Sequence, residues 1–252
     1  MSAIDIISKF APQVLLGRIV TQLRTLGLGA NAASQKMAAT AFAIRVGNGG
    51  VVFLSQVLLA RWMGASAFGT YVYVWTLLLV AADIVHIGLP LTAQRFVPEY
   101  RETGALALLR GYLHGSCWLT FGAATLASVA GAGIVYSAHS LMEPGLAGAL
   151  YLACAALPCY ALTYMADGIA RSFNWIGVAL LPAYVIRPLL FIGCIAALHL
   201  AGLAFDATLA MAAMAVAGWL VVIAQFVLLF VRLRTIVPGG ARKYASRIWV
   251  LT

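Results

Sequence analysis

Charged side chains are scarce in this sequence. Asp, Glu, Lys and Arg together make up 9% of its 252 residues, whereas soluble domains carry about 25%. So few charges exclude a typical water-soluble globule, and intrinsic disorder is excluded because disordered chains combine low hydrophobicity with high charge. With 63% hydrophobic residues and a mean hydropathy of +0.98, the chain is predicted to fold in a lipid bilayer.

Residues for catalysis or metal binding are also few. The four cysteines form no CxxC or Cys/His cluster, which argues against a disulfide framework and against a metal site. The sequence contains no HExxH, P-loop or GxSxG motif, and the glycines at 27 and 29 lack the third glycine and the strand of a dinucleotide site. We therefore expect no enzyme, no cofactor and no metal, and we favour a transport or scaffold role.

Apolar runs bounded by charges predict an all-α, polytopic membrane protein. A membrane-spanning helix needs about 20 apolar residues, and the chain offers six such runs. The predicted spans lie near residues 39–60, 68–90, 113–136, 146–166, 176–199 and 208–231. The chain thus divides into an N-terminal arm (1–38), a six-helix transmembrane bundle (39–231) and a tail (232–252).

The basic residues fall mainly on one side of these spans. The arm, the second and fourth loops and the tail contain 13 of the 16 Lys and Arg residues, whereas the opposite loops contain only Arg61. Cytoplasmic segments of membrane proteins carry such an excess. Both termini are therefore predicted to face the cytoplasm, and the net charge of +9 is attributed to topology and to contact with anionic membrane lipid rather than to nucleic acid.

Segments outside the spans have patterns of their own. In the arm, apolar residues such as Ile4, Ile7 and Phe10 alternate with basic ones, which fits either a cytoplasmic amphipathic helix in the membrane interface or a partly ordered arm. A second interfacial helix is predicted in the loop around residues 95–102. The basic tail is either a cytoplasmic tail or the start of a further helical half.

Arg187 is the first candidate for a substrate pathway. An arginine inside a span costs roughly 2.5–3.5 kcal/mol on insertion scales, so it usually faces a protein interior or a wet cavity. Pro188 follows it and removes one backbone hydrogen bond, which can open the helix. The alternative is that the fifth span begins at Pro188 and that Arg187 only reaches from its cytoplasmic end to the membrane surface.

Four further candidates lie in the first two predicted spans. Arg45 and Asn48 belong to a glycine-rich stretch where helices can approach closely. Asp83 and His86 are three residues apart, on one helix face, and either pair with Arg45, accept a coupling proton or only compensate charge. Another charged pair, at residues 167 and 171, has the i,i+4 spacing of a surface ion pair.

Two segments resemble a known family when taken together. Residues 59–71 are LARWMGASAFGTY, and residues 88–100 are GLPLTAQRFVPEY. They are similar to the first outer loop and the second-span exit of polysaccharide-type flippases in the multidrug/oligosaccharidyl-lipid/polysaccharide exporter superfamily. The stretch from Pro158 to Pro188 resembles that family's fourth and fifth spans, so the resemblance covers roughly residues 40–190.

The resemblance implies a transporter of lipid-linked oligosaccharide or polysaccharide precursors in the bacterial inner membrane, acting by alternating access in envelope or exopolysaccharide biosynthesis. It implies cationic cavity residues facing an anionic lipid-linked glycan, a role for which Arg45 and Arg187 stand in suitable positions. The chain departs from the family at His86, where an aspartate is usual, which puts ion coupling at that position in doubt.

The resemblance also implies a missing half. Family members have twelve or more spans in two similar halves, so this chain looks like an N-terminal half: a fragment, or a half-transporter that forms a homodimer or pairs with a second half. A glycan synthase or polymerase is a further expected partner. Two other functions remain open, namely a cation-coupled drug or metabolite antiporter of the same superfamily, which would rely on acidic cavity residues, and a scaffold of a glycan synthase.

Overall fold

The protein is described by a computed structural model that covers residues 13–86, 88–143, 145–202, 205–237, 239–244 and 249, with side chains at residue 39 and from residue 42 onward. Every regular element in these ranges is helical, in agreement with the predicted all-α class. The elements are α1 (Gln13–Val85), α2 (Leu89–Glu102), α3 (Leu106–Ala138), a 3-10 turn (His139–Leu141), α4 (Leu146–Ser172), α5 (Ile176–Leu181), a π-helical segment (Pro182–Ile186), α6 (Arg187–Leu200) and α7 (Ala207–Ile236).

The chain divides into two units, Met1–Ala43 and Ile44–Thr252. In the first unit, residues 13–43 are helical, and the apolar positions Ile4, Ile7 and Phe10 of the predicted amphipathic arm lie outside the described residues.

Five helical segments of the described chain are long and apolar enough to cross a membrane, which makes the protein a multi-pass helical membrane protein. They are Phe42–Glu102, Leu106–Leu141, Leu146–Ser172, Ile176–Leu200 and Ala207–Ile236. The last four contain the predicted spans three to six. The first, with 61 residues, contains span two and all but the first three residues of span one.

Helix α1 is interrupted at Gly64, whose φ of 77° and ψ of 169° lie in a region that is essentially restricted to glycine. Asn48 and Leu79, 31 positions apart in sequence, line the same cavity of about 250 Å³. A straight helix would separate them by roughly 45 Å. The chain therefore reverses at Gly64. The predicted spans leave a loop of seven residues, 61–67, between them; this loop is too long, because a single glycine makes the turn.

A second correction concerns the end of span two. The helix ends at Val85 rather than near residue 90, because Gly88 adopts a left-handed φ of 69° and Pro90 stands in the first turn of a new helix, α2. The loop does contain a helix, which begins at Leu89, while its predicted position in the membrane interface stays a prediction. Its apolar face is buried in the bundle against α3 and α4.

Loops with basic residues meet at one end of the bundle. The Arg101 guanidinium lies 5.0 Å from the ring centre of Phe173, which joins the second loop to the turn after α4. The Arg232 guanidinium lies 5.6 Å from the ring of Trp175, which joins the end of α7 to the same turn. The second loop, the fourth loop and the start of the tail therefore form a single basic end.

The turns at the opposite end also contact one another. Trp62, next to the reversal at Gly64, stacks on His199 at the end of α6 with 4.2 Å between ring centres. The Thr208 hydroxyl, in the first turn of α7, donates to the Gly145 carbonyl at the start of α4 over 3.3 Å. Successive helices thus run up and down between a basic end and an end with little charge.

The fifth predicted span is one helical path from Ile176 to Leu200. It widens to π-helical geometry over Pro182–Ile186, where the Arg187 N–H donates to the Pro182 carbonyl. The alternative in which the span begins at Pro188 is therefore wrong. The backbone irregularity lies upstream of Pro188, within the turn that presents Arg187.

Helix α4 is the centre of the bundle, and small residues allow its neighbours to approach. A Cβ added at Gly218 of α7 would lie 2.9 Å from the Cys159 sulfur, and one added at Gly168 would lie 2.5 Å from the Pro90 carbonyl oxygen. Such close contact between helices is typical of membrane bundles. All four cysteines are free, and Cys159 is fully buried at this close contact.

Candidate functional site

A polar cavity of about 250 Å³ lies between the two arms of the α1 hairpin, α4 and the turn that joins the π-helical segment to α6. Its polar lining includes Asn48, Gln56, Thr163, Asp167 and Arg187. Aromatic side chains complete the wall, namely Tyr71, Trp75, Tyr160, Tyr164, Tyr184 and Phe191. Apolar walls with a few convergent polar groups are characteristic of ligand sites.

The cavity forms where polar stripes on two apolar helices face each other. On α4, Tyr160, Thr163, Tyr164 and Asp167 follow the i, i+3, i+4, i+7 spacing of one helix face. On the first arm of α1, the lining residues between Asn48 and Gln56 have a similar spacing. Polar residues in membrane helices face a protein interior or a wet cavity because lipid cannot hydrogen-bond to them.

Arg187 supplies the positive charge of this wall. It is half-buried, and its guanidinium carbon lies 4.6 Å from the centre of the Tyr160 ring, within cation–π range. The described residues place no carboxylate within ion-pairing distance of it. π-helical turns frequently occur at functional sites, and here the turn from Pro182 to Ile186 directs Arg187 into the cavity.

Three buried polar atoms around the cavity lack hydrogen-bond partners. The Asn48 Oδ1, the Tyr71 hydroxyl and the Tyr160 hydroxyl make no hydrogen bond to any described residue. An unsatisfied buried polar group costs about 1–3 kcal/mol. Because all three residues line the same cavity as Arg187, the cavity is suited to water or to a polar ligand that accepts and donates hydrogen bonds.

Asp167 lines the cavity but is not free to bind a ligand. Arg171 holds it through two contacts, Nη2 to Oδ2 at 2.7 Å and Nε to Oδ1 at 3.0 Å. The i,i+4 ion pair expected from the sequence is therefore confirmed, but the carboxylate of this pair also lines the cavity rather than only the surface. Because Arg171 neutralises Asp167, Arg187 leaves the cavity with a net positive charge.

The structure brings two of the five predicted pathway residues, Asn48 and Arg187, to the cavity wall. Arg45 is exposed one turn before Asn48. Asp83 and His86 pair with each other, 3.7 Å apart, instead of with Arg45, and the Asp83 side chain is 64% exposed. His86 stacks edge-on against Tyr164 at 5.4 Å, so it lies behind the cavity wall rather than in it.

Sequence reasoning missed the tyrosines and Gln56. Tyrosine counts as an apolar residue when spans are located by hydropathy. For this reason Tyr160 and Tyr164 were not recognised as polar groups. The periodicity of hydroxyls and amides along α4 and α1 was the signal that could have found them.

Comparison of the chain with protein-family profiles, with curated proteins and with solved structures finds no match.

Proposed function

We propose that this protein is part of a flippase that carries lipid-linked oligosaccharide or polysaccharide precursors across the bacterial cytoplasmic membrane. The proposal joins the family resemblance of residues 59–71 and 88–100 to the chemistry of the cavity. It assigns no enzymatic step and no cofactor to the chain.

The observation that carries the proposal is the set of polar groups around Arg187. A cation beside a tyrosine face, in a cavity also lined by Asn48, Tyr71 and Tyr160 with their unpaired oxygens, offers partners for an anionic, hydroxyl-rich ligand. A lipid-linked glycan has both properties, since its phosphate is anionic and its sugars carry many hydroxyls. The Trp75 and Tyr184 rings add flat apolar surface for the faces of sugar rings.

The same cavity argues against a cation-coupled drug antiporter. Such a transporter would rely on an acidic residue free to bind a cation, whereas Asp167 is held by Arg171 and Asp83 is not among the residues that line the cavity. The positive charge at Arg187 would repel a cationic drug. The sign of the cavity charge therefore favours an anionic substrate.

We infer six membrane crossings with both termini in the cytoplasm. The part of α1 from Phe42 to Val85 would be about 66 Å long as a straight helix, roughly twice the hydrocarbon core. The reversal at Gly64 divides it into two crossings of ordinary length. The basic end of the bundle is the cytoplasmic one according to the positive-inside rule.

The six-helix unit supplies one wall of the pathway. Repeat transporters alternate access by moving one half against another, so a second half is needed, either from a copy of this chain or from another six-helix segment. The intact mass of the native product, compared with the 26.6 kDa of this chain, tests this point. About twice that mass indicates a longer chain, and an equal mass indicates a half that assembles with a partner.

Arg187 provides the decisive test of transport. Export of the lipid-linked glycan is measured in cells that lack the native gene and carry the wild type, Arg187→Ala, Arg187→Lys or the control Arg61→Ala, at equal membrane abundance. Arg187→Ala should abolish export, Arg187→Lys should retain part of it, and Arg61→Ala should have no effect because Arg61 is exposed outside the cavity. Full export with Arg187→Ala would remove this residue from the pathway.

Deletion of the gene separates transport from a scaffold role. A flippase predicts that lipid-linked precursor accumulates on the cytoplasmic side. Normal export, together with loss of an assembled glycan synthase, would support the scaffold instead.

A further inference from the structure

A second, larger cavity lies at the basic end of the bundle, away from the polar site. It measures about 690 Å³ and forms a groove along α3 and α7, with α4 as its floor. The walls are apolar over most of their length and include Trp118, Phe121, Phe226 and Leu229. None of the described lining residues is acidic, whereas Arg234 and Arg242 line the end of the groove where α7 gives way to the tail.

The groove has the length of one bilayer leaflet. Its lining runs from Arg110 to Phe121 on α3 and from Phe226 on α7 to Val237 just after it, a rise of eleven residues in each case. At 1.5 Å per residue this is about 16 Å, close to half of the roughly 30 Å hydrocarbon core. Both helices carry their arginines at the basic end and their aromatic residues deeper in the membrane.

The tail is fixed in a way that closes the polar end of this groove. The Lys243 N–H donates to the Ala107 carbonyl over 2.8 Å, and the Arg110 Nε donates to the Ala241 carbonyl over 2.9 Å. A Cβ at Gly111 would overlap the Lys243 carbonyl, so this glycine is what allows the tail to lie against α3. Arg242 is thereby held at the mouth of the groove, opposite Arg234.

We propose that the groove binds an anionic membrane phospholipid from the leaflet at the basic end. The acyl chains lie between α3 and α7, and the phosphate contacts Arg234 and Arg242. Charge complementarity selects this occupant: both arginines are exposed, no acidic residue of the described lining opposes a phosphate, and the apolar part has the depth of an acyl chain in one leaflet. The assignment concerns a bound lipid and holds whatever substrate the polar cavity carries.

Trp118 is a reporter for the occupant because it lines the groove and is exposed. The full chain is reconstituted in phosphatidylcholine vesicles that contain a small fraction of phosphatidylglycerol with brominated acyl chains, and fluorescence quenching is compared with that by brominated phosphatidylcholine at the same fraction. The Trp118→Phe variant gives the background from the other tryptophans. We expect the Trp118-dependent quenching to be stronger with the anionic lipid and to saturate as its fraction rises.

Two double variants separate the groove from general surface charge. Arg234→Ala with Arg242→Ala should lower the apparent preference for the anionic lipid by about 25-fold, since each surface arginine contributes a factor of about five. Arg232→Ala with Lys243→Ala removes the same charge from the same end but from side chains outside the groove, and should leave the preference largely unchanged. An equal loss in both variants, or equal quenching by the two lipids in the wild type, would overturn the proposal.

Competition identifies the source of the phosphate. Sodium phosphate should reduce the quenching no more than sodium chloride of equal ionic strength, because a free anion lacks the acyl chains that the groove accommodates. Specific displacement by phosphate would mean a simple anion site. Displacement by a trace of polyprenyl phosphate, but not by an equal amount of unbrominated phosphatidylglycerol, would mean that the groove receives the transported lipid, and either result would contradict a phospholipid site.

Discussion

The contact between Gly168 and Pro90 gives a sharp test of how α2 packs against α4. In Gly168→Ala, the new Cβ would lie 2.5 Å from the Pro90 carbonyl oxygen, 2.7 Å from its Cα and 2.8 Å from its Cβ. These atoms belong to backbone and to a proline ring, so no flexible side chain can move aside. Helix α2 would have to shift as a whole.

The magnitude follows from two opposing effects. Alanine in a helix interior is favoured over glycine by roughly 0.5–1 kcal/mol, whereas overpacking a tight contact costs roughly 1–3 kcal/mol. The net loss for Gly168→Ala should therefore be about 1–2 kcal/mol in the free energy of unfolding. Gly122 on α3 is the matched control, because a Cβ there would meet no heavy atom within 4 Å.

Unfolding in mixed micelles of mild detergent and sodium dodecyl sulfate, followed by tryptophan fluorescence, measures both variants. Gly122→Ala should match or slightly exceed the wild type, and Gly168→Ala should unfold at a lower fraction of denaturing detergent. Equal stability of the two alanine variants would refute the argument, because α2 would then not lie as close to α4 as the distances require.

Two further predictions concern polar contacts of α7. Gln225 is fully buried, and its Nε2 donates over 3.2 Å to the Val178 carbonyl, which receives no hydrogen bond from Pro182 because proline has no N–H. Gln225→Leu leaves this carbonyl unpaired but also removes the buried, unpaired Gln225 Oε1, so it should lower the free energy of unfolding by only about 1 kcal/mol. The loss should be smaller in a Pro182→Ala background, and a double-mutant cycle with no coupling would contradict this. Asp206 caps α7 because its Oδ1 accepts a hydrogen bond from the Leu209 N–H at 2.7 Å. Asp206→Ala should therefore lower the free energy of unfolding by about 1 kcal/mol, and Asp206→Asn should lower it much less. Equal losses for the two variants in the same unfolding assay would argue against the cap.

Hydropathy located most helices well, because burial in lipid is a local property of each segment. The predicted starts at 146, 176 and 208 agree with Leu146, Ile176 and Ala207 to within one residue. Helix ends were less predictable. Helices α3 and α7 continue through Arg110 and Arg234 beyond their apolar runs, since a charged residue ends a hydrophobic segment but does not end a helix.

Single polar residues within apolar runs could be found from the sequence, and Asn48 and Arg187 were found in this way. Their surroundings could not, because the direction of a side chain depends on which helices become neighbours. Arg45 and Asp83 are as polar as Asn48 but lie outside the cavity wall. The partners of Arg187, above all Tyr160, come from a helix more than 20 residues away in sequence.

The reversal at Gly64 has a consequence for how the protein enters the membrane. A turn made by one glycine leaves no loop between the two arms of α1, so one arm cannot insert into the bilayer while the other stays in water. The two arms must therefore insert together as a helical hairpin. Any other amino acid at position 64 would strain the backbone of the turn and hinder this insertion. Substitutions at this residue should accordingly reduce the amount of protein that reaches the membrane.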